Sequence, residues 1–316
     1  MRPRAGTQRC RRHAAVVLLC VLAAGAPLRA EDAPLAVTAV AEGIYVHQGV
    51  HEESGPENLG AIANIGFVVG RDAVAVIDTG GSAAIGRRLR AAVAKATPLP
   101  VRYVINTHVH PDHLLGNAAF RADAPEFIGH KALPDALARR GPHYLEAVRR
   151  DLGEGAAGTE LVPPTATVAD RRDIDLGGRV LTLQAHPTAH TDNDLTVFDA
   201  ATGTLWAGDL LFVERAPAID GSARGWLAAL DRLAAAPAAR VIPGHGPVLT
   251  DWPGALADLR RYLTTLVEDI RALQRRHATI EQAMDRAGAA ERGRWTLFDA
   301  YHRRNVAATF TELEWE

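Results

Sequence analysis

The chain has 316 residues, 47% hydrophobic and 23% charged, with a formal net charge of −2. That is the balance of a soluble globular protein, long enough for one large domain or one with an appendage, without low-complexity segments or sequence repeats. Residues 1–30 hold six arginines and no acid; without them 29 bases stand against 37 acids, a net of −8 that argues against nucleic-acid partners and gives no support for binding anionic membranes.

Residues 1–30 have the build of a secretory signal. Arg2, Arg4, Arg9, Arg11 and Arg12 make a basic start. Ala14 to Leu28 is an apolar run, too short for a membrane span of ~20 residues. Leu28-Arg29-Ala30 before Glu31 offers a cleavage site. The expectation is export to the periplasm, with a main domain at 31–252 and a helical extension at 253–316 packed on it. A retained N-terminal anchor is the alternative. Cys10 and Cys20 both fall in the signal, so the exported chain would have no disulfide and no thiolate ligand or nucleophile. Any metal site must then use histidine and carboxylate.

Val37–Val40 and Ile44–His47 predict a hairpin about Glu42-Gly43. Gln48–Gly60 is a polar loop. Asn64–Gly70 and Ala73–Asp78 are apolar strands, and Ser82 predicts the cap of a helix reaching about Ala96. Val101–Asn106 predicts a strand that runs into Thr107-His108-Val109-His110-Pro111-Asp112-His113. His113–Phe120 predicts a short helix, Glu126–Gly129 a strand, and Lys131 to about Arg150 a helix interrupted at Gly141-Pro142. Gly153–Pro164 is a connection. Strands follow at 166–168, 179–184, 195–199 and 204–206, then a helix at 224–235 and a strand at 240–242. From Pro253 the pattern is helical: 255–277, 279–286 and 297–313. Two runs of strands with helices between and after them imply two sheets faced with helices.

The stretch 108–113 concentrates chemistry. On an extended backbone, side chains two apart point the same way, so His108 and His110 can reach one metal ion. Pro111 ends the strand, and Asp112 and His113 turn aside toward a second. Imidazole and carboxylate are zinc ligands. The alternative is a polar strand end with exposed histidines. Histidine is only 13 of 316 residues, which argues against so tight a cluster arising without a role. Three further segments carry ligand types beside glycine or at strand ends: His190 in Ala189-His190-Thr191-Asp192-Asn193-Asp194, Asp209 in Trp206-Ala207-Gly208-Asp209, and His245 in Pro243-Gly244-His245-Gly246.

In that order these motifs resemble those of the metallo-β-lactamase-fold hydrolases, over roughly residues 36–250. The resemblance implies an α/β fold, a four-layer αββα sandwich with extra C-terminal helices here. It implies that His108, His110 and His190 hold one metal, that Asp112, His113 and His245 hold a second, and that Asp209 bridges them. It implies two Zn2+, with Fe or Mn as alternatives, and catalytic roles for Asp112 and Asp209. Two such ions can share a water and lower its pKa toward ~7, so no serine or cysteine nucleophile is needed. The best-known members place cysteine or a non-ligand at the Asp209 position. Aspartate there is more like glyoxalase II and lactonases, which favours a small-molecule acyl substrate (thioester, ester or lactone) over a β-lactam.

Pro56-Glu57-Asn58-Leu59-Gly60, Ile62–Phe67 and the tail from Tyr301-His302-Arg303-Arg304-Asn305 to Trp315-Glu316 are similar to the quinoprotein relay system zinc metallohydrolases. This implies a role beside PQQ-dependent alcohol oxidation and a functional link to a quinoprotein dehydrogenase. Cofactor-cradling glycine loops are not evident in the sequence, so neither nucleotide nor bound PQQ is expected. The competing reading is a mononuclear iron oxidoreductase like persulfide dioxygenases, using His108, His190 and Asp209. Asp78 is expected to orient a metal ligand, and Asp194 is a candidate for the same role or for a plain structural one. His186, four residues before His190, is expected to be structural or to support a ligand rather than to line the site. His47 and His51 flank a loop that overhangs the metals in this fold, with solvent exposure expected over substrate contact. Arg303, Arg304 and Asn305 are candidates either for orienting an anionic substrate or for a helix-surface cluster.

Overall fold

The computed structural model describes residues 33–316, so the export signal expected at 1–30 lies outside the described residues. The first sheet has seven strands side by side in chain order: β1 (Thr38–Ala41), β2 (Ile44–His47), β3 (Ile65–Val69), β4 (Val74–Ile77), β5 (Val101–Ile105), β6 (Glu126–His130) and β7 (Ala166–Val168). Its first four strands pair antiparallel and its last four parallel. The second sheet has β8 (Arg171–Asp175), β9 (Val180–Ala185), β10 (Leu195–Asp199), β11 (Thr204–Phe212) and β12 (Arg240–His245), in the order 12-11-10-9-8. The helices are α1 (Ala83–Ala96), α2 (Pro111–Leu114), α3 (Leu133–Leu152), α4 (Ala223–Ala234), α5 (Ala257–Gln274), α6 (Ile280–Arg286) and α7 (Phe298–Leu313).

The period of two explains the layering. All four residues of β4 are buried, because the strand is covered on both faces. Val74 and Val76 face Ile85, Leu89 and Val93 of α1. Ala75 and Ile77 face the other way, into an apolar layer shared with Leu181, Leu183, Val197 and Trp206 of the second sheet. That sheet's outer face sets Leu205, Ala207, Leu211 and Val241 against Trp226 and Leu230 of α4. Leu263 of α5 and Val306 and Phe310 of α7 belong to the same core. The result is the expected helix–sheet–sheet–helix order, with the C-terminal helices joined to the second sheet's side.

Four local expectations change. β5 stops at Ile105, so His108 and His110 sit on a loop and not on a strand. The helix expected at 113–120 is α2 followed by a separate 3-10 turn at Asn117–Asp123. α3 runs unbroken through Pro142: the ring removes one backbone bond, but the long amphipathic face holds the helix together. β8 lies at a sheet edge with Ile174 as its buried residue, so charge hid it from the apolar pattern.

Candidate metal centre

The candidate ligands stand in loops beside strands, at a strand end or at an irregularity within a strand. The loop after β5 supplies His108, His110, Asp112 and His113; the loop before β10 supplies His190; β11 supplies Asp209; and the end of β12 supplies His245. β11 continues beyond its expected end at Trp206, with an irregularity in its pairing at Gly208. Gly208 has φ +53°, and a Cβ there would lie 2.8 Å from the Thr107 side chain. The bulge delivers Asp209 to the site. Gly244 is equally constrained, since a Cβ would lie 1.8 Å from Asp209 Oδ1.

The seven side chains converge. His108, His110, His190 and Asp209 form one group and Asp112, His113 and His245 a second, with the ligand atoms of each within 4.8 Å of one another. Asp209 stands between the two. Its Oδ2 is 3.3 Å from His190 Nε2, 3.6 Å from His108 Nε2 and 3.5 Å from His245 Nε2, and its Oδ1 is 3.1 Å from His113 Nε2. His110 and Asp112 are partly open; the other five are buried.

The hydrogen bonds fix which nitrogen is free in four of the five rings. His190 Nδ1 donates to the Ala218 carbonyl at 2.7 Å. His113 Nδ1 donates to Asp78 Oδ2 at 2.8 Å, and His110 Nε2 donates to Asp220 Oδ2 at 2.9 Å. Thr107 Oγ1 donates to Asp78 Oδ2, so it accepts from His108 Nδ1 at 3.0 Å. His245 Nδ1 lies 2.8 Å from both the Ile62 carbonyl and Arg215 Nη1. In the other four rings the proton therefore sits on the outer nitrogen, and four lone pairs point inward. His190 Nε2 lies 3.3 Å from His108 Nε2 and 3.0 Å from His110 Nδ1, with no proton left to place between them. Asp209 Oδ1 and His113 Nε2 are buried without a hydrogen-bond partner. Converging lone pairs with carboxylate at their centre fit divalent cations and little else.

The electrostatics of His108 and His190 agree with the donor set, whereas burial would lower His113 but the Asp209, Asp78 and Asp112 carboxylates outweigh it and raise it well above the usual imidazole range. Burial pushes His190 down to about 3 and His108 well below the usual imidazole range, which keeps both neutral. Burial alone would raise Asp209, but the imidazoles of His113, His245 and His108 set around it hold its carboxyl well below the usual range.

The orienting shell is only partly legible in the sequence. Asp78 orients His113 as expected, and it also accepts from Thr107 N at 2.8 Å. Asp194 instead binds Thr191 N and Oγ1 at 2.9 and 2.6 Å and shapes the His190 loop; burial lifts its carboxyl to about 8. His186 is structural, bonded to Thr196 Oγ1. His47 and His51 are half-buried; His47 Nδ1 donates to the Ala36 carbonyl. Arg303 pairs with Asp285 on the surface, and Asn305 is buried as a clamp on residues 217–219. Arg304 lines the pocket above the centre, a cavity of about 760 Å³. Arg140, His143, Tyr144, Arg215, Asp220 and Tyr301 line it too, and no spacing in the sequence marks them.

The pattern of the Metallo-beta-lactamase superfamily matches residues 60–245. No curated protein matches the chain. Among solved structures, a metallo-beta-lactamase from Pontibacter korlensis is 20% identical, with 73% of this chain and 99% of that chain covered and a TM-score of 0.57. The sec-alkylsulfatase Pisa1 from Pseudomonas sp. is 16% identical, with 88% of this chain and 50% of that chain covered and a TM-score of 0.66. At such identities the likeness establishes the fold. A match across more than half of the residues, together with a divalent-metal site of histidine and aspartate, places the chain in the metallo-beta-lactamase superfamily as a metal-dependent hydrolase.

Proposed function

We propose that the protein is a dinuclear zinc hydrolase of a small acyl substrate: a thioester, ester or lactone. The observation that carries this reading is Asp209, whose carboxylate stands between the two groups, 3.1 Å from His113 and 3.5 Å from His245 of one and 3.3 Å from His190 and 3.6 Å from His108 of the other. Zinc fits a donor set of imidazole and carboxylate, with Fe and Mn as the alternatives. His108, His110 and His190 would hold one ion, Asp112, His113 and His245 the other, and Asp209 would touch both. Bound divalent ions would supply Lewis acidity toward the acyl oxygen and lower the pKa of a water between them.

The chain's own residues do the rest. The outer carbonyls and carboxylates lock four of the imidazoles in one tautomer. Asp112 meets the pocket beside His245, at 3.4 Å from its Nε2, and can take a proton from water and pass it to the leaving group. Phe212 stacks on His245 with centroids 5.0 Å apart and excludes water from behind the ring. The iron oxidoreductase reading needs only His108, His190 and Asp209 and leaves the second group without a task.

Export to the periplasm follows from the basic and apolar character of residues 1–30. A place beside PQQ-dependent alcohol oxidation rests on the motifs at 56–67 and 301–316. The test is residues 31–316 purified with metal quantitation and then given thioesters, lactones, a β-lactam and a secondary alkyl sulfate. Two zinc per chain and acyl hydrolysis are the expected result. One iron per chain with oxygen uptake on a persulfide would replace this reading with the oxidoreductase.

A further inference from the structure

We infer that the outer face of the second sheet holds a second ligand site, for a small neutral aromatic molecule carrying a hydroxyl, behind the loop that carries His190. The binding site does not depend on the hydrolase reading.

The cavity lies between sheet and helix. α4 ends at Ala234, and Ala236 and Pro237 past its end form one wall. Thr182, Phe198 and Leu205 form the other, in register across β9, β10 and β11. The space between measures about 580 Å³, within the range of small-molecule sites. It shares no lining residue with the pocket above the metal centre.

The polar groups decide the occupant. Thr182 Oγ1 donates to Asp173 Oδ1 at 2.7 Å, and Gln184 Nε2 donates to the Asp170 and Ala185 carbonyls, so both are engaged. Arg232 and Asp170 bring one charge of each sign to the lining, which gives an ionic ligand no preference. Arg232 also stands in the last turn of α4, where a cation suits the helix end. His186 is different. It is 6% exposed, and its Nε2 lies 2.9 Å from Thr196 Oγ1. Its Nδ1 has no hydrogen-bond partner among the described residues, yet it is not sealed from solvent as His47 Nε2 and His51 Nε2 are. The ring lines the cavity, so this nitrogen opens on it. Burial lowers the imidazole to about 4 and keeps it neutral at ordinary pH. A hydroxyl both donates and accepts, so it answers Nδ1 in either tautomer. A flat ring beside Phe198 adds aromatic contact to apolar burial.

An occupant braces the metal centre from behind. His186 N donates to the Asp194 carbonyl at 2.9 Å and closes the base of the loop that contains His190. A ligand bonded to His186 holds that base shut.

The test uses the zinc-loaded protein with 2-naphthol, naphthalene and 2-naphthoate. Naphthyl fluorescence follows binding to the unaltered chain, to His186→Leu and to Ala236→Trp, whose indole would fill the cavity from its rim. 2-Naphthol should bind, naphthalene about tenfold more weakly for want of one hydrogen bond, and 2-naphthoate no better than naphthalene. Each variant should weaken 2-naphthol about tenfold or more. If His186→Leu does not fold, Ala236→Trp decides. Saturating 2-naphthol should slow extraction of zinc by a chelator several-fold, and Ala236→Trp should remove that protection. Naphthol binding indifferent to the variants, or naphthalene binding equally well, overturns the site. Tighter binding of naphthoate replaces it with an anion site at Arg232. An unchanged extraction rate at saturation overturns the link to the His190 loop.

Discussion

Asp78 concentrates three hydrogen bonds on one carboxylate at a residue with φ +55°. Its Oδ1 accepts from Thr107 N, and its Oδ2 accepts from Thr107 Oγ1 and His113 Nδ1. An amide offers one acceptor where three donors need answering. Asp78→Asn should therefore release the His113 ring and lower affinity for the ion beside it about 10- to 100-fold, with a smaller loss at the His108–His110–His190 group, which Asp78 reaches only through Thr107. Competition with a chelator, read as metal retained per chain, checks this; loss of both ions together would contradict it. The seven side chains of the centre were legible because residue type, spacing and order coincide in them. Asp78 could be expected from its strand end. Arg215 and Asp220 could not: they sit in the irregular stretch after β11, and an arginine's burial is a fact of tertiary packing that no spacing announces.

Residues 215–220 act as an element in their own right. Ala218 gives the carbonyl that orients His190, and Asp220 the carboxylate that orients His110. Asn305 of α7 pins this segment from behind, donating to the Pro217 carbonyl at 2.7 Å and accepting from Ile219 N at 2.9 Å. Asn305 is itself held by Tyr262 of α5 at 2.9 Å. Glu312 of α7 accepts from Ser222 Oγ and Ala223 N and so ties α7 to the start of α4. The C-terminal helices thus belong to the support of the centre. Asn305→Ala should loosen Ala218 and Asp220 together and cost about 1–3 kcal/mol through the buried groups left unpaired. Its signature is selective: the ion of the His108 group should be lost to a chelator sooner than that of the His113 group. Denaturant midpoint and metal retention measure the two effects, and a stability loss with both ions held equally would reduce Asn305 to packing. The tail motif at 301–316 was visible in the sequence, but its role was not, because contacts across some 85 residues leave no local pattern.

At the scale of the whole molecule, the sequence placed the two sheets and the flanking helices because burial on both faces leaves continuous apolar runs. It missed β8, whose edge position permits charge, and it stopped β11 early, because a bulge at Gly208 reads as a strand end. What joins the sheets includes groups that titrate. Arg179 donates to the Val69 carbonyl in the first sheet and to both oxygens of Asp199 in the second. Burial would raise the Asp199 carboxyl, but Arg179 and Thr202 outweigh it and hold it below its ordinary value. That contribution is present above the unfolded carboxyl's pKa of about 4 and is lost as pH falls through the lower folded value. His186 works in a separate window. Burial, with the charges of Arg232 and His130, lowers it to about 4. The unfolded chain takes up this proton near pH 6.5 and the folded chain does not, so the unfolded state binds more protons between those values. Stability from His186 is complete above pH 6.5 and falls by about 3 kcal/mol as pH drops to 4. His186→Gln can still bond Thr196 but cannot titrate. Urea midpoints of the unaltered chain and this variant should converge or cross between pH 7 and 4.5, with the unaltered chain losing more. Parallel curves across that window would place the acid sensitivity elsewhere in the molecule.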